Sequence, residues 1–185
     1  MQAVAKRYPQ DDDIQLLAAE AMMGAQPWDY WQADFRTPKG RTAEILEILE
    51  TVLARSPDHP AAMHLYIHMT EASDNPYRAE AAADRLGRLT PAAGHLVHMP
   101  SHTYHRVGRY IDSYQVNLAA VAANEAYLEQ APATPLLKFG YYTHNVHSAL
   151  TAAQMAGDRE AALALAEKLD RVMPASMVTL APWIQ

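Results

Sequence analysis

Apolar side chains recur at helical spacing along most of the chain, and polar stretches separate the groups. In "KGRTAEILEILETVLARSPDHP" (39–60) and "DNPYRAEAAADRLGRLTP" (74–91), they return every three or four positions, and each stretch ends near a proline. This pattern favours amphipathic helices, and we predict an all-α fold. The predicted helices cover about 11–24, 42–56, 60–73, 76–90, 93–107, 110–130, 139–156 and 158–173.

Proline and glycine positions repeat along the chain with a regular period. Gly40, Asp74 and Gly108 are equally spaced, and Gly157 follows after one such interval lengthened by an insertion near 128–140. The interval is about 34 residues, the helix-turn-helix period that is typical of the tetratricopeptide repeat. We therefore predict one domain over 1–185, a TPR-like helical solenoid of about four antiparallel helix pairs. Residues 27–40, "PWDYWQADFRTPKG", where the first pair should begin, contain no convincing helix.

The histidines follow this period. In such solenoids the first helix of each pair lines a concave binding surface. Eight of the nine histidines fall on the positions expected to face this groove, and only His59 does not. The spacing i, i+4, i+7, which places residues on one helix face, occurs twice. The groove residues are His64, His68 and Glu71 on one helix, His98, His102 and His105 on the next, and His95, His144 and His147 in adjoining rows.

Neighbouring helices pack about 8–10 Å apart, so imidazoles from two of them can converge on one ion. The chain has no cysteine, so any metal must be held by histidine and carboxylate. This donor set suits Zn²⁺, with Cu, Fe, Mn and Ni as alternatives. The first expected ligands are His64, His68, His98 and His102, followed by His95, His144 and His147.

The expected chemistry is hydrolysis of an ester or phosphoester by a metal-bound water, with a small-molecule substrate in the groove. Glu71 is the expected general base, and alternatively a ligand, an orienter of a ligating histidine or a salt-bridge partner. His105 and Tyr141 are expected to position the substrate, as are His144 and His147 if they are not ligands. The alternative is a non-enzymatic groove that binds a peptide or protein partner or sequesters metal.

Pro100 interrupts the most histidine-rich segment, "AGHLVHMPSHTYHRVGRY" (93–110). A proline inside a helix removes one backbone hydrogen bond and kinks or restarts the helix. The histidines on its two sides therefore need not share one face. For this reason His64 and His68 are preferred as a ligand pair over any pair drawn across the proline.

Composition narrows the function classes. The 185 residues are 50% hydrophobic and 19% charged, with only seven glycines, which favours a helical globular domain. A net charge of −6 without a basic cluster argues against nucleic acid as a partner. No apolar run is long enough to span a bilayer, and the N-terminus lacks the apolar core of a signal peptide. A cytoplasmic location is the default expectation.

The segments "PDHPAAMHLYIHMTEAS" (57–73), "AGHLVHMPSHTYHRVGRY" and "YYTHNVHSAL" (141–150) resemble those of a group of bacterial tetratricopeptide-repeat proteins. The resemblance covers most of the chain, and the segment containing "HMPSH" is distinctive. It implies a TPR-like fold and a shared site. It implies no particular reaction, because the function of these proteins is largely unassigned. The shared site residues would be His64, His68, Glu71, His95, His98, His102, His144 and His147.

Overall fold

A computed structural model describes residues 1–131 and 134–173, and this part of the chain is helical. Its only β-type pairing is an isolated antiparallel bridge between Trp31 and Pro38. The all-α prediction is confirmed. The helices are α1 (Gln2–Arg7), α2 (Asp12–Ala25), α3 (Thr42–Arg55), α4 (Pro60–Thr70), α5 (Glu80–Leu89), α6 (Gly94–His98), α7 (Pro100–Arg106), α8 (Tyr110–Gln130), α9 (Thr143–Ala156) and α10 (Arg159–Val172).

Most helix boundaries agree with the sequence prediction to within a few residues. Four features differ from the prediction. α1 was not predicted, and the single helix expected over 93–107 is divided at Pro100 into α6 and α7. A 3-10 turn, Pro76–Ala79, precedes α5, and a π-helical segment, Leu136–Tyr142, precedes α9. Of the insertion expected near 128–140, residues 132 and 133 lie outside the described residues.

The repeat period also appears in the helix starts. Helical structure begins at the equally spaced positions Thr42, Pro76 and Tyr110, and again at Arg159 after one such interval plus the insertion. Gly108, just before α8, has a φ of 81°, and Gly157, between α9 and α10, has a φ of 78°. Glycine adopts this left-handed conformation without the steric cost that a Cβ imposes. These glycines therefore let the chain reverse between consecutive helices.

The chain divides into two compact units, Met1–Leu89 and Thr90–Gln185. In the first unit, α2, α3, α4 and α5 pack in sequence, and Ile45, Leu49, Met63 and Ile67 are fully buried between them. The segment 26–41 is not helical and folds back onto α4, where Trp31 Nε1 donates to Met69 O (2.9 Å). The prediction of one domain over 1–185 stays a prediction.

The second unit is built around α8, which packs against α6, α7 and α9, while α10 packs on α9. Val121, Val146, Ala149 and Leu165 form its apolar core. Glu125 links three elements, because it accepts a hydrogen bond from Tyr142 Oη (2.7 Å) and pairs with Lys168 Nζ (2.7 Å). Burial alone would raise the pKa of Glu125, but these two partners lower it below its usual value.

Gly94 brings the start of α6 against α8, and its replacement tests this packing. A Cβ at Gly94 would overlap Asn124 Oδ1 and lie 3.2 Å from the backbone oxygen of Ala120. Gly94→Ala should therefore destabilise the protein by about 1–3 kcal/mol, the usual cost of overpacking. Chemical denaturation measures this loss. The matched control is Gly24→Ala in the helical turn that ends α2, where a Cβ meets nothing within 4 Å, and it should leave stability unchanged or higher.

Candidate metal centre

Three imidazole nitrogens meet in the second unit, and they come from three different helices. His98 lies on α6, His102 on α7 and His144 on α9. The Nε2 atom of His98 is 3.0 Å from His102 Nε2 and 3.0 Å from His144 Nε2. His98, His102 and His144, called the histidine trio below, each offer one nitrogen to a group that can hold a metal ion.

The helix break at Pro100 does not separate His98 from His102. Met99 keeps right-handed helical angles (φ −49°, ψ −40°), and its backbone N–H still donates to His95 O (3.1 Å). Pro100 begins α7 in the first-turn position, where the missing N–H of proline has little cost. The chain therefore keeps its helical course across the break, and residues four apart still meet on one side.

Asn117 on α8 sets the orientation of His98. Its Nδ2 donates to the backbone oxygen of Ser113 (2.8 Å), which turns Oδ1 toward His98 Nδ1 at 2.6 Å. Because a carbonyl oxygen only accepts, His98 Nδ1 carries the proton and its Nε2 carries the lone pair. Metal-binding histidines are typically oriented in this way by a hydrogen bond to the other ring nitrogen. Ser101 Oγ also lies near Nδ1, at 3.2 Å.

The electrostatics keep His98 in the form that binds a metal. Its side chain is 1% exposed, and this burial, followed by the nearby His102 and His144, lowers the pKa of His98 well below its ordinary value. The ring is therefore neutral at pH 7, as a ligating imidazole must be.

The short nitrogen–nitrogen distances agree with those around one metal ion. A single lone pair on His98 Nε2 accepts one hydrogen bond, yet two imidazole nitrogens lie equally close to it. Zinc–nitrogen bonds of about 2.05 Å, at angles between octahedral and tetrahedral, separate ligand nitrogens by about 2.9–3.3 Å. The two 3.0 Å separations fall within that interval.

Exposure increases across the trio. His98 is buried, His102 is half-buried and His144 is exposed. An ion held by the three rings would therefore be enclosed on the side of His98 and accessible from the side of His144. Three protein ligands with an open fourth position are typical of catalytic zinc sites, whereas structural sites are closed by four.

The second unit also contains the predicted residues His95, His105 and Tyr141. The ring of His95 lies 4.8 Å from Tyr141 and 6.2 Å from His98, with which it is stacked. His105 contacts the ring of Tyr110 at 5.4 Å. Burial lowers the pKa of His105, with Arg106 and then His102 adding to the effect.

His147 is exposed, and it borders a cavity of about 470 Å³ between α9 and α10. His144 lines the same cavity, so this space adjoins the exposed side of the trio.

The first unit contains a second histidine cluster. His68 Nδ1 lies 2.9 Å from Glu71 Oε1, and the rings of His64 and His68 are 5.0 Å apart. Trp28, which has an unusual positive φ of 63°, places its ring edge-on to His68 at 5.2 Å. The His68–Glu71 contact is the one that an orienting carboxylate requires.

The structure thus brings two of the four first-choice ligands, His98 and His102, together with His144. Within the first unit, His68 contacts both His64 and Glu71. The sequence also predicted that His64 and His68 would bind the same ion as His98 and His102. Such a site would involve both units, and it stays a prediction.

Asn117 was missed by the sequence prediction. The sequence does contain a pattern that points to Asn117. Ser113, Asn117 and Asn124 recur at helical spacing, and they lie on the buried side of α8. Small polar residues on a buried helix face need partners inside the protein. This pattern marks Asn117 as one of the buried polar residues that could bond a histidine of the cluster.

Comparisons with family models, curated proteins and solved structures find no match to the chain. Within residues 1–131 and 134–173, none of the helices combines the length and apolar character needed to cross a membrane.

Proposed function

We propose that the protein is a metal-dependent enzyme of the hydrolytic type, with one divalent ion held by the histidine trio. The convergence of three Nε2 atoms, with Asn117 fixing the tautomer of His98, carries this proposal. Three imidazole ligands without a thiolate favour zinc, with Cu, Fe, Mn and Ni as alternatives.

The proposed hydrolysis depends on the accessible side of the trio, where His144 is exposed. A zinc ion with three histidine ligands lowers the pKa of a bound water to about 7 and polarises a substrate oxygen. Asn117 and His98 hold the buried side of the site rigid, while His144 presents its exposed side to a substrate. Tyr141 and His95 lie beside the trio, where they can contact and orient that substrate.

We further propose that the helix pairs belong to a TPR-like array, as the resemblance of the histidine-rich segments implies. The equal intervals between the helix starts at Thr42, Pro76 and Tyr110 support this proposal. The left-handed glycines at the same place in the period, Gly40 and Gly108, support it as well.

Metal analysis of untagged protein tests the proposed centre. Zinc titration of the metal-free protein should show saturable binding, and His102→Ala should remove one equivalent while the fold, measured by circular dichroism, is retained. Equal zinc uptake by the wild type and His102→Ala would contradict a centre at the trio.

Hydrolysis separates an enzyme from a metal-storage protein. p-Nitrophenyl acetate and bis(p-nitrophenyl) phosphate are suitable probes of ester and phosphoester cleavage. Any activity should disappear on chelation, return with zinc and be absent in His102→Ala. Stoichiometric zinc binding without hydrolysis of either class would favour the non-enzymatic alternative.

A further inference from the structure

The cavity between α9 and α10 shares a residue with the histidine trio. Its volume of about 470 Å³ is in the range of small-molecule sites, and His144 lines it. His144 is also the exposed member of the trio. A substrate whose reacting group lies at the open side of the trio can therefore place a neighbouring group in this cavity.

Much of the cavity wall is apolar. The apolar side chains come from the π-helical segment, from α9, and from α10 and the residue after it. They are Phe139, Leu150, Leu169 and Met173. All four are half-buried, so each has accessible surface that a ligand can cover. Each methylene of a hydrocarbon group buried against this surface should tighten binding about fourfold.

The charge on the wall favours an uncharged substrate. Among the described residues that line the cavity, none is Lys or Arg, and Asp170 is the one carboxylate. An anionic phosphoester would therefore meet a like charge without a Lys or Arg of the lining to balance it. A carboxylic ester carries no charge and meets no such repulsion.

We propose that this cavity holds the apolar acyl group of a carboxylic ester, while the ester carbonyl lies at the exposed side of the trio. This inference rests on the proposed hydrolytic function and reduces its two ester classes to one. The apolar wall would bind the hydrocarbon chain, and Asp170 would disfavour anionic substrates.

The reaction consumes one water for each ester. The water oxygen bonds to the carbonyl carbon, the bond from that carbon to the alkoxy oxygen breaks, and the alcohol leaves with one proton of the water. The acid keeps the other proton and loses it to solvent as it becomes a carboxylate. Asp170 repels this carboxylate, so an acyl group in the cavity leaves it after each turnover.

Binding to the metal-free protein tests the cavity without the metal centre. Butanamide, hexanamide and octanamide carry the acyl group in an uncharged form. Their affinities, measured from the methyl resonances of Leu150, Leu169 and Met173, should rise about fourfold for each added methylene. Octanoate should bind more weakly than octanamide, and Asp170→Asn should reduce that difference. Equal affinities across the amide series would overturn the proposal, as would tighter binding of octanoate than of octanamide.

Two tryptophan variants on α10 distinguish this cavity from other apolar surface. Ala166 is exposed and lines the cavity, so Ala166→Trp fills its edge without placing the new ring in the core. It should weaken octanamide binding about tenfold or more, the loss expected when two methylenes no longer fit. Ala164 is equally exposed on α10 but is not in the lining, and Ala164→Trp should leave the affinity unchanged. Equal effects of the two variants would overturn the proposal.

Hydrolysis by the zinc-loaded protein links the cavity to the metal centre. The kcat/KM for p-nitrophenyl hexanoate should exceed that for p-nitrophenyl acetate, and A166W should remove this preference while A164W keeps it. Amide binding that depends on chain length, without zinc uptake at the trio, would refute the metal centre and leave the apolar ligand class of the cavity intact. Zinc-dependent hydrolysis with equal kcat/KM for the two esters would refute the cavity assignment alone.

Discussion

His144→Ala should lower the affinity of the protein for zinc by roughly 100-fold or more, while the fold is retained. Removing a metal ligand should lower the zinc affinity at least as much as removing a residue that hydrogen-bonds to a ligand, which typically lowers metal affinity about 10–100-fold. His144 suits this test because its side chain is exposed, so truncation leaves no buried void. Competition with a chromophoric chelator measures the change in affinity.

The matched control is His147→Ala. His147 lies on the same helix, is also exposed and was predicted from the sequence as a ligand, but it is not in the group formed by the trio. Its replacement should change the affinity by less than the factor seen for His144→Ala. Equal losses in the two variants would mean that zinc binds elsewhere on the exposed side of α9, and no loss in either would refute the centre.

The helix boundaries could be predicted from the sequence because glycine and proline determine the backbone angles at their own positions and beside them. Gly108 and Gly157 adopt left-handed angles that other residues reach at a cost, so their positions specify where one helix ends and the next begins. The π-helical segment Leu136–Tyr142 was not predicted, since one extra residue in a turn hardly alters the apolar spacing.

The candidate site could be predicted in part. The repeat frame placed His98, His102 and His144 among the groove residues, and the structure brings them together. Pro100 made His98 and His102 a less favoured pair, because a proline usually breaks the helix. The structure instead keeps Met99 helical, and the Nε2 atoms of the two residues are 3.0 Å apart. Backbone angles on either side of a proline depend on the surrounding packing, which spacing alone does not contain.

The partner of Asn117 could not be assigned from spacing, because His98 is 19 residues away on another helix. Buried asparagines on a helix have several structural uses, and only the three-dimensional contact distinguishes them. Asn117 and Asn124 lie on the same helix and are both buried, but only Asn117 bonds His98. These two asparagines therefore form a matched pair for testing the orientation of the trio.

Asn117→Leu should lower zinc affinity about 10–100-fold, the usual effect of removing the partner that orients a metal-binding histidine. Without Oδ1, the buried His98 Nδ1–H loses its acceptor, and the proton can move to Nε2, where it blocks the lone pair. Long-range 1H–15N spectra report this tautomer directly. They should show the proton on Nδ1 in the wild-type protein and a shift toward Nε2 in the variant.

The comparison with Asn117→Asp and Asn124→Leu identifies the cause of that loss. The carboxylate introduced by N117D would still accept from His98 Nδ1, so this variant should retain much more zinc affinity than N117L. Asn124→Leu makes the same change seven residues further along α8 without touching the trio, and its zinc affinity should equal that of the wild type. If N117L and N124L lower the affinity equally, the effect comes from the packing of α8 and Asn117 does not orient His98. A loss confined to N117L and relieved in N117D requires the hydrogen bond itself.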